Sequence, residues 1–366
     1  MLFYLTDSLL VDKSSNDYLG IVTAISNIAI AVYESKHSIN GDIMIMEFMS
    51  KNDDLDIRSR MILNNVVQQY SIQPIPQQIT YYIEVTKDIV EPSLRKVGNR
   101  EVAQICYKEF LDTKSTQECC LIGEYYYDCK FFQIILSWYK RILDISLSTK
   151  FENIDGSGDD TSKKVRQFVG RNKRPTICIV DSDKKYPEQE IANNSTCGKC
   201  MNLYQDRFIY RFIVLNVQET ENLVPLSIID NLPWVGEAKP HKESFDYLRN
   251  SPECMDILPY FDLKKGIQYH KSLFQDPKYL TYVKKCCFCN PNIPDGKEFD
   301  ELLNHSNEKS VIYPSLLKDL LKDSLDYISK NKIETFDLLE FQEKEWIKIA
   351  QNMLNWGFCR NVENVS

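Results

Sequence analysis

The chain has 366 residues, with 44 Lys or Arg against 52 Asp or Glu, a net charge of −8 and 43% hydrophobic content. That length allows two or three domains with sizeable cores, and the acidic balance excludes a protein coated in basic surface, though not one with a local basic groove. No apolar run approaches the ~20 residues of a membrane span, so no membrane partner is expected.

The opening "MLFYLTDSLLVDKSSND" lacks a basic start before its short apolar stretch and meets Asp7 early. It reads as part of the fold, not a signal peptide, which makes the cytoplasm the expected compartment. Residues 1–115 read as a mixed α/β region. A largely buried helix is expected over 18–35, its β-branched content leaving a strand as the alternative, with a helix over 56–70, a strand over 78–85, and an amphipathic helix over "NREVAQICYKEFLD" (99–112).

From 116 the elements alternate. "ECCLIGE" (118–124) is a short apolar strand ending in Glu124, and 127–145 carries helical spacing. "FENIDGSGDDTS" (151–162) reads as a polar, Gly-containing loop and 163–170 as two helical turns. "PTICIVDSD" (175–183) is a second strand and "RFIYRFIVLNV" (207–217) a third. This order points to an α/β fold with a mainly parallel sheet flanked by helices. The last third, 236–366, is more helical. Amphipathic segments cover 314–331 and 336–356, the second closing at Gly357 as its C′ residue.

Acids end two of these strands. If strand geometry continues through Asp181 and Asp183, the two share a direction. Ligands of parallel α/β sheets bind beyond the carboxyl ends of strands, so Glu124 would lie near the pair if its strand is adjacent. Three carboxylates there repel unless a cation sits among them, and oxygen ligands suit Mg2+ or Mn2+. The bland alternative is a solvated strand end, since Asp is common in turns.

"LIGEYYYDCKFF" followed by "ICIVDSDKK" resembles the TOPRIM domain, in which a glutamate ends the first strand and an Asp-x-Asp ends a later one. "FIVLNVQETENLVP" (212–225) is similar to the strand and Glu-Asn-Leu segment of TOPRIM nucleases of the OLD (overcoming lysogenisation defect) type and related phage-defence effectors. The resemblance covers 116–235 and implies a catalytic domain there, with a Cys-bearing insertion at 188–206. It implies a metal-dependent endonuclease in which Glu124, Asp181 and Asp183 hold Mg2+ or Mn2+. Asp128 matches the acid that follows the glutamate, and Glu219 and Glu221 are candidates for a second metal. It further implies a DNA or RNA substrate, a role in antiviral defence and a separate ATPase sensor as partner, and it is compatible with an oligomer. Gly123 stands before Glu124, where many members have glycine after it. The alternative from another class is a nucleic-acid-binding or assembly protein that keeps a TOPRIM scaffold and structural zinc without cutting.

Two Cys-x-x-Cys pairs, Cys197/Cys200 and Cys286/Cys289, have the spacing that grips one Zn2+ in a closed structural site tying the insertion to the C-terminal region. Cys287 is a rival ligand, and the alternative is ordinary buried thiols. Residues 161–185 carry Lys163, Lys164, Arg166, Arg171, Lys173, Arg174, Lys184 and Lys185, opposed only by Asp181 and Asp183. Such a segment leading into the acids fits contact with a phosphate backbone, or a solvated loop face.

Overall fold

The computed structural model describes residues 1–69, 75–171, 173–203, 208–234, 238–288, 290–293, 296–307 and 310–360. The chain weaves two units. Met1–Ile179, Lys199–Ile213 and Ile347–Ser366 make the first, Val180–Gly198 and Val214–Trp346 the second.

In the first unit, strands β1 (Leu2–Leu5), β2 (Ser38–Gly41), β3 (Tyr81–Thr86), β4 (Ser93–Val97) and β5 (Arg100–Cys106) form a sheet in the spatial order β2-β1-β3-β5-β4. Only β4 runs antiparallel to its neighbour. Helices α1 (Tyr18–Tyr33), α2 (Ile43–Ser50) and α3 (Ile57–Gln69) accompany this sheet. Every residue of β3 is buried, as expected of a central parallel strand covered on both faces. Its one charge, Glu84, is neutralised by Arg95 of β4 at 2.5 and 2.7 Å.

Over Arg100–Cys106 the helix expected at 99–112 is a strand instead, and only a short 3-10 turn, Tyr107–Phe110, follows it. Gly98, at φ 62°, and Asn99 form a two-residue turn that returns the chain from β4 along β5. Val102 and Ile105 are β-branched and buried, and β5 pairs in parallel with all six residues of β3. Tertiary pairing overrides a pattern that also fits a helix.

The second sheet of this unit contains β6 (Cys120–Gly123), β8 (Glu152–Asp155), β9 (Thr176–Val180) and β10 (Tyr210–Val214), in the order β10-β9-β6-β8. β6 runs parallel to both β8 and β9. β7 (Ser148–Thr149) pairs elsewhere, with β13 (Phe358–Cys359). Part of the expected 151–162 loop is therefore strand. β8 lies at the sheet edge, and its polar, partly exposed residues hide the strand pattern. Helix α4 (Tyr126–Ile142) follows β6, and α5 (Thr161–Val165) runs into a π-helical segment, Arg166–Arg171.

The second unit holds helices α7 (Leu226–Asp230) to α12 (Leu320–Asn331) and a two-stranded ribbon of β11 (Ile267–Gln268) and β12 (Val311–Tyr313). The chain passes between the units at the end of β9 and within α6 (Thr196–Met201). Phe261 meets Tyr313 edge-on, with ring centres 5.4 Å apart, inside the core of the second unit. Helix α13 (Glu340–Gly357) ends on Gly357 itself and not one residue before it. A Cβ there would lie 2.3 Å from the Phe151 ring, so close packing explains the glycine. Among the described residues, no helix is long and apolar enough to cross a membrane.

Candidate metal-dependent site

In the first unit, β6 delivers Glu124, which is buried. The chain then turns into α4. Asp128 caps this entry, one carboxyl oxygen accepting the Tyr125 N–H at 2.7 Å, where a negative charge also suits the helix dipole. A Cβ on Gly123 would come within 2.9 Å of the Asp128 Cβ and 3.1 Å of Cys129 Sγ. The glycine before Glu124 thus answers a local need, the close return of α4 over the strand end. A turn straps the same place. Gly156 and Gly158 donate backbone N–H groups to the carbonyls of Gly123 (3.0 Å) and Glu124 (2.9 Å).

In the second unit, Asp181 follows the last residue of β9. Its Oδ1 accepts both the N–H and the hydroxyl of Thr220, at 2.9 and 3.0 Å, and the residue is buried. Strand geometry does not continue through Asp183. Its φ is 58°, its N–H donates to the Gln218 carbonyl at 3.1 Å, and its side chain is exposed. The shared direction expected from strand alternation therefore does not apply to Asp181 and Asp183.

The Glu-Thr-Glu-Asn-Leu segment is held from beneath by Asn222. Its Oδ1 accepts the Glu219 N–H at 2.9 Å, and its amide donates to the carbonyls of Leu258 (2.9 Å) and Phe261 (2.8 Å). Gln342 and Trp346 donate to the carbonyls of Asn222, Val224 and Leu223. Glu219 and Glu221 are both buried, and both face Lys264 Nζ, at 2.6 and 3.2 Å. Burial, the neighbouring Asp262 and Glu221 push the Glu219 carboxyl up to about 8, against a smaller pull from Lys264. Burial alone would raise Asp262 as well, but the Lys185 ammonium, 3.0 Å away, holds it below the usual range. Lys264 is raised. Burial opposes its charge, and the surrounding Glu221, Glu219 and Asp181 outweigh burial. Glu219 and Glu221 thus already share one cation, the Lys264 ammonium.

A pH effect follows for chelator-treated protein. The folded value of Glu219 lies above its ordinary 4.5, so the folded state binds the extra proton between these limits. Its stabilisation should be complete below about 4.5 and be lost as pH rises through about 8. The melting temperature of the wild type should fall relative to Glu219→Gln between pH 5 and 9. Parallel curves would contradict the shift.

Cys178, Cys200 and Cys286 have hydrogen-bond partners. Cys200 of α6 hydrogen-bonds with Cys178 of β9. That interaction raises Cys178 and lowers Cys200, as expected if the Cys178 thiol donates. Cys197 is buried. Burial raises Cys286, which hydrogen-bonds with Tyr282, and pushes Cys287 up to about 12. Cys289 lies outside the described residues. Among the described residues, no group of three or more His, Cys, Asp or Glu is arranged to hold a metal ion.

Half of the basic segment is committed internally. Lys163 pairs with Asp160 (2.6 Å), Lys173 with Glu109 (3.4 Å), Arg174 with Glu152 (2.5 Å) and Lys185 with Asp262. Lys184 donates to the Pro187 carbonyl at 3.4 Å. Lys164, Arg166 and Arg171 have no ion-pair partner among the described residues, and Arg166 and Arg171 are exposed.

Sequence reasoning missed Lys264, Asp262 and Thr220. "FDLKKG" carries only a short alternation of charge after a buried Phe261, and nothing in it points back to Glu219. Comparison of the chain with protein-family models, with curated proteins and with solved structures finds no match in any of the three.

Proposed function

We propose that the chain is a metal-dependent endonuclease of the TOPRIM type, acting on DNA or RNA as an effector of antiviral defence beside a separate ATPase. The observation that carries this is the parallel pairing of β6 with β9, each followed directly by a buried acid, Glu124 and Asp181. On the resemblance, Glu124, Asp181 and Asp183 are the acids for a first Mg2+ or Mn2+, and Glu219 with Glu221 those for a second. Bound there, such ions supply Lewis-acid activation of water and stabilise charge on the scissile phosphate. Thr220 fixes the orientation of Asp181 with two hydrogen bonds. Asn222 fixes the backbone that carries Glu219. Asp128 sets the entry of α4 immediately after Glu124. Structural zinc at Cys197, Cys200, Cys286 and Cys289 is part of the proposal on spacing alone, and metal analysis of protein purified without chelator is its check.

Lys164, Arg166 and Arg171 are the cations suited to hold the phosphate backbone. Replacing all three with Ala should weaken nucleic-acid binding and reduce its salt slope by about 0.7 to 0.9 for each phosphate no longer neutralised. Cleavage should persist at saturating substrate, because these side chains position the strand and the acids do the chemistry. A non-cleaving scaffold would show the same weakening of binding with no Mg2+-dependent products at any protein concentration. An unchanged slope would remove the segment from the interface.

A further inference from the structure

The second unit places four buried carboxylates, Asp181, Glu219, Glu221 and Asp262, around two ammonium groups, Lys185 and Lys264. Lys185 is committed to Asp262. Lys264 is left to the other three, close to Glu219 and Glu221 and within the electrostatic reach of Asp181. The Oε2 atoms of both glutamates are shut off from water, and the ammonium is the counter-charge that faces them. The Lys264 side chain itself is 27% exposed, so its flexible four-carbon stem has a route outward. It sits between buried Leu263 and a turn at Gly266, whose φ of 67° and close approach to the Tyr313 carbonyl admit no side chain.

We propose that Lys264 is a tethered counter-ion. Its ammonium occupies the position of a divalent cation between Glu219 and Glu221, and it swings outward when that cation binds. The proposal rests on the nuclease reading only in taking the two glutamates as ligands for a divalent ion. Physically, the lysine supplies the positive charge that lets two buried carboxyl groups stay assembled without the ion. It also opposes loading, because a positive charge must leave before another enters. The cluster would then fill only above a threshold of ion concentration, with Lys264 setting the threshold.

The test is Mn2+ binding to the chelator-treated full chain, read as bound against free ion by electron paramagnetic resonance. Lys264→Met removes the charge and keeps the stem. It should bind Mn2+ on the order of tenfold more tightly than wild type, given the Coulomb repulsion relieved at short range. Adding Glu219→Gln and Glu221→Gln to that variant should abolish the gain. Equal affinity in wild type and Lys264→Met would overturn the proposal, as would a gain that survives removal of both carboxylates. If Lys264→Met does not fold, Lys264→Arg decides. A guanidinium, which grips carboxylates more firmly, should weaken Mn2+ binding several-fold, and unchanged or tighter binding overturns the idea. Absence of cleavage with this competition intact would defeat the nuclease reading alone.

Discussion

Asp181→Asn should leave the protein folded and lower Mg2+-dependent cleavage by roughly a hundredfold or more, beyond what removing an outer partner of a metal ligand costs. The reason lies in what the substitution keeps. Asn presents the same carbonyl-type oxygen to the Thr220 N–H and hydroxyl, so the geometry at 2.9 and 3.0 Å can survive while the charge is removed. Thr220→Val makes the intermediate case. It removes one of the two donors and keeps the backbone one, so a loss of about tenfold is expected, with melting little changed. Single-turnover cleavage at saturating substrate, with melting curves in parallel, checks both. Wild-type rates in folded Asp181→Asn would take the residue out of the chemistry.

The largest stability effect should come from Asn222→Ala. The substitution strands the Glu219 N–H and the carbonyls of Leu258 and Phe261 in a buried setting. Each stranded group costs about 1 kcal/mol or more, so a total of at least about 3 kcal/mol is expected. The loss should be local to the second unit. Hydrogen exchange should therefore accelerate across 218–224 and 258–262 while β1 and β3 of the first unit stay protected. Exchange unchanged over 218–224 would mean that Asn222 does not hold the segment. The same variant should lose cleavage as Glu219 and Glu221 drift. Asn222→Ala thus imitates a catalytic defect from a side chain assigned no role in touching substrate.

Much of the first unit's second sheet is legible in the sequence. β6 and β9 are short apolar runs, and α4 has apolar residues every three or four positions, so period alone finds them. β5 and β8 are not legible for opposite reasons. β5 is apolar enough to fit either period until its pairing with β3 is seen, and β8 is too polar to look like strand at all. Glu124 and Asp181 stand out in the sequence only through their order, an acid after one apolar strand, a helix, then an acid after another, since Asp at a strand end is by itself common. The shared direction expected of Asp181 and Asp183 does not hold, since alternation lasts only as long as the strand, and β9 stops at Val180. Lys264 is invisible in advance. Its meaning comes from a fold that brings residue 264 back to residues 219 and 221, and no local pattern encodes that return.

The most direct test is cleavage of plasmid DNA and of total tRNA by purified wild-type protein, each with Mg2+, Mn2+ or EDTA, beside Glu124→Ala. Products are expected with at least one substrate when metal is present, none in EDTA, and none from folded Glu124→Ala. Cleavage that persists in EDTA, or that Glu124→Ala carries out at the wild-type rate, would contradict a metal-dependent nuclease built on these acids.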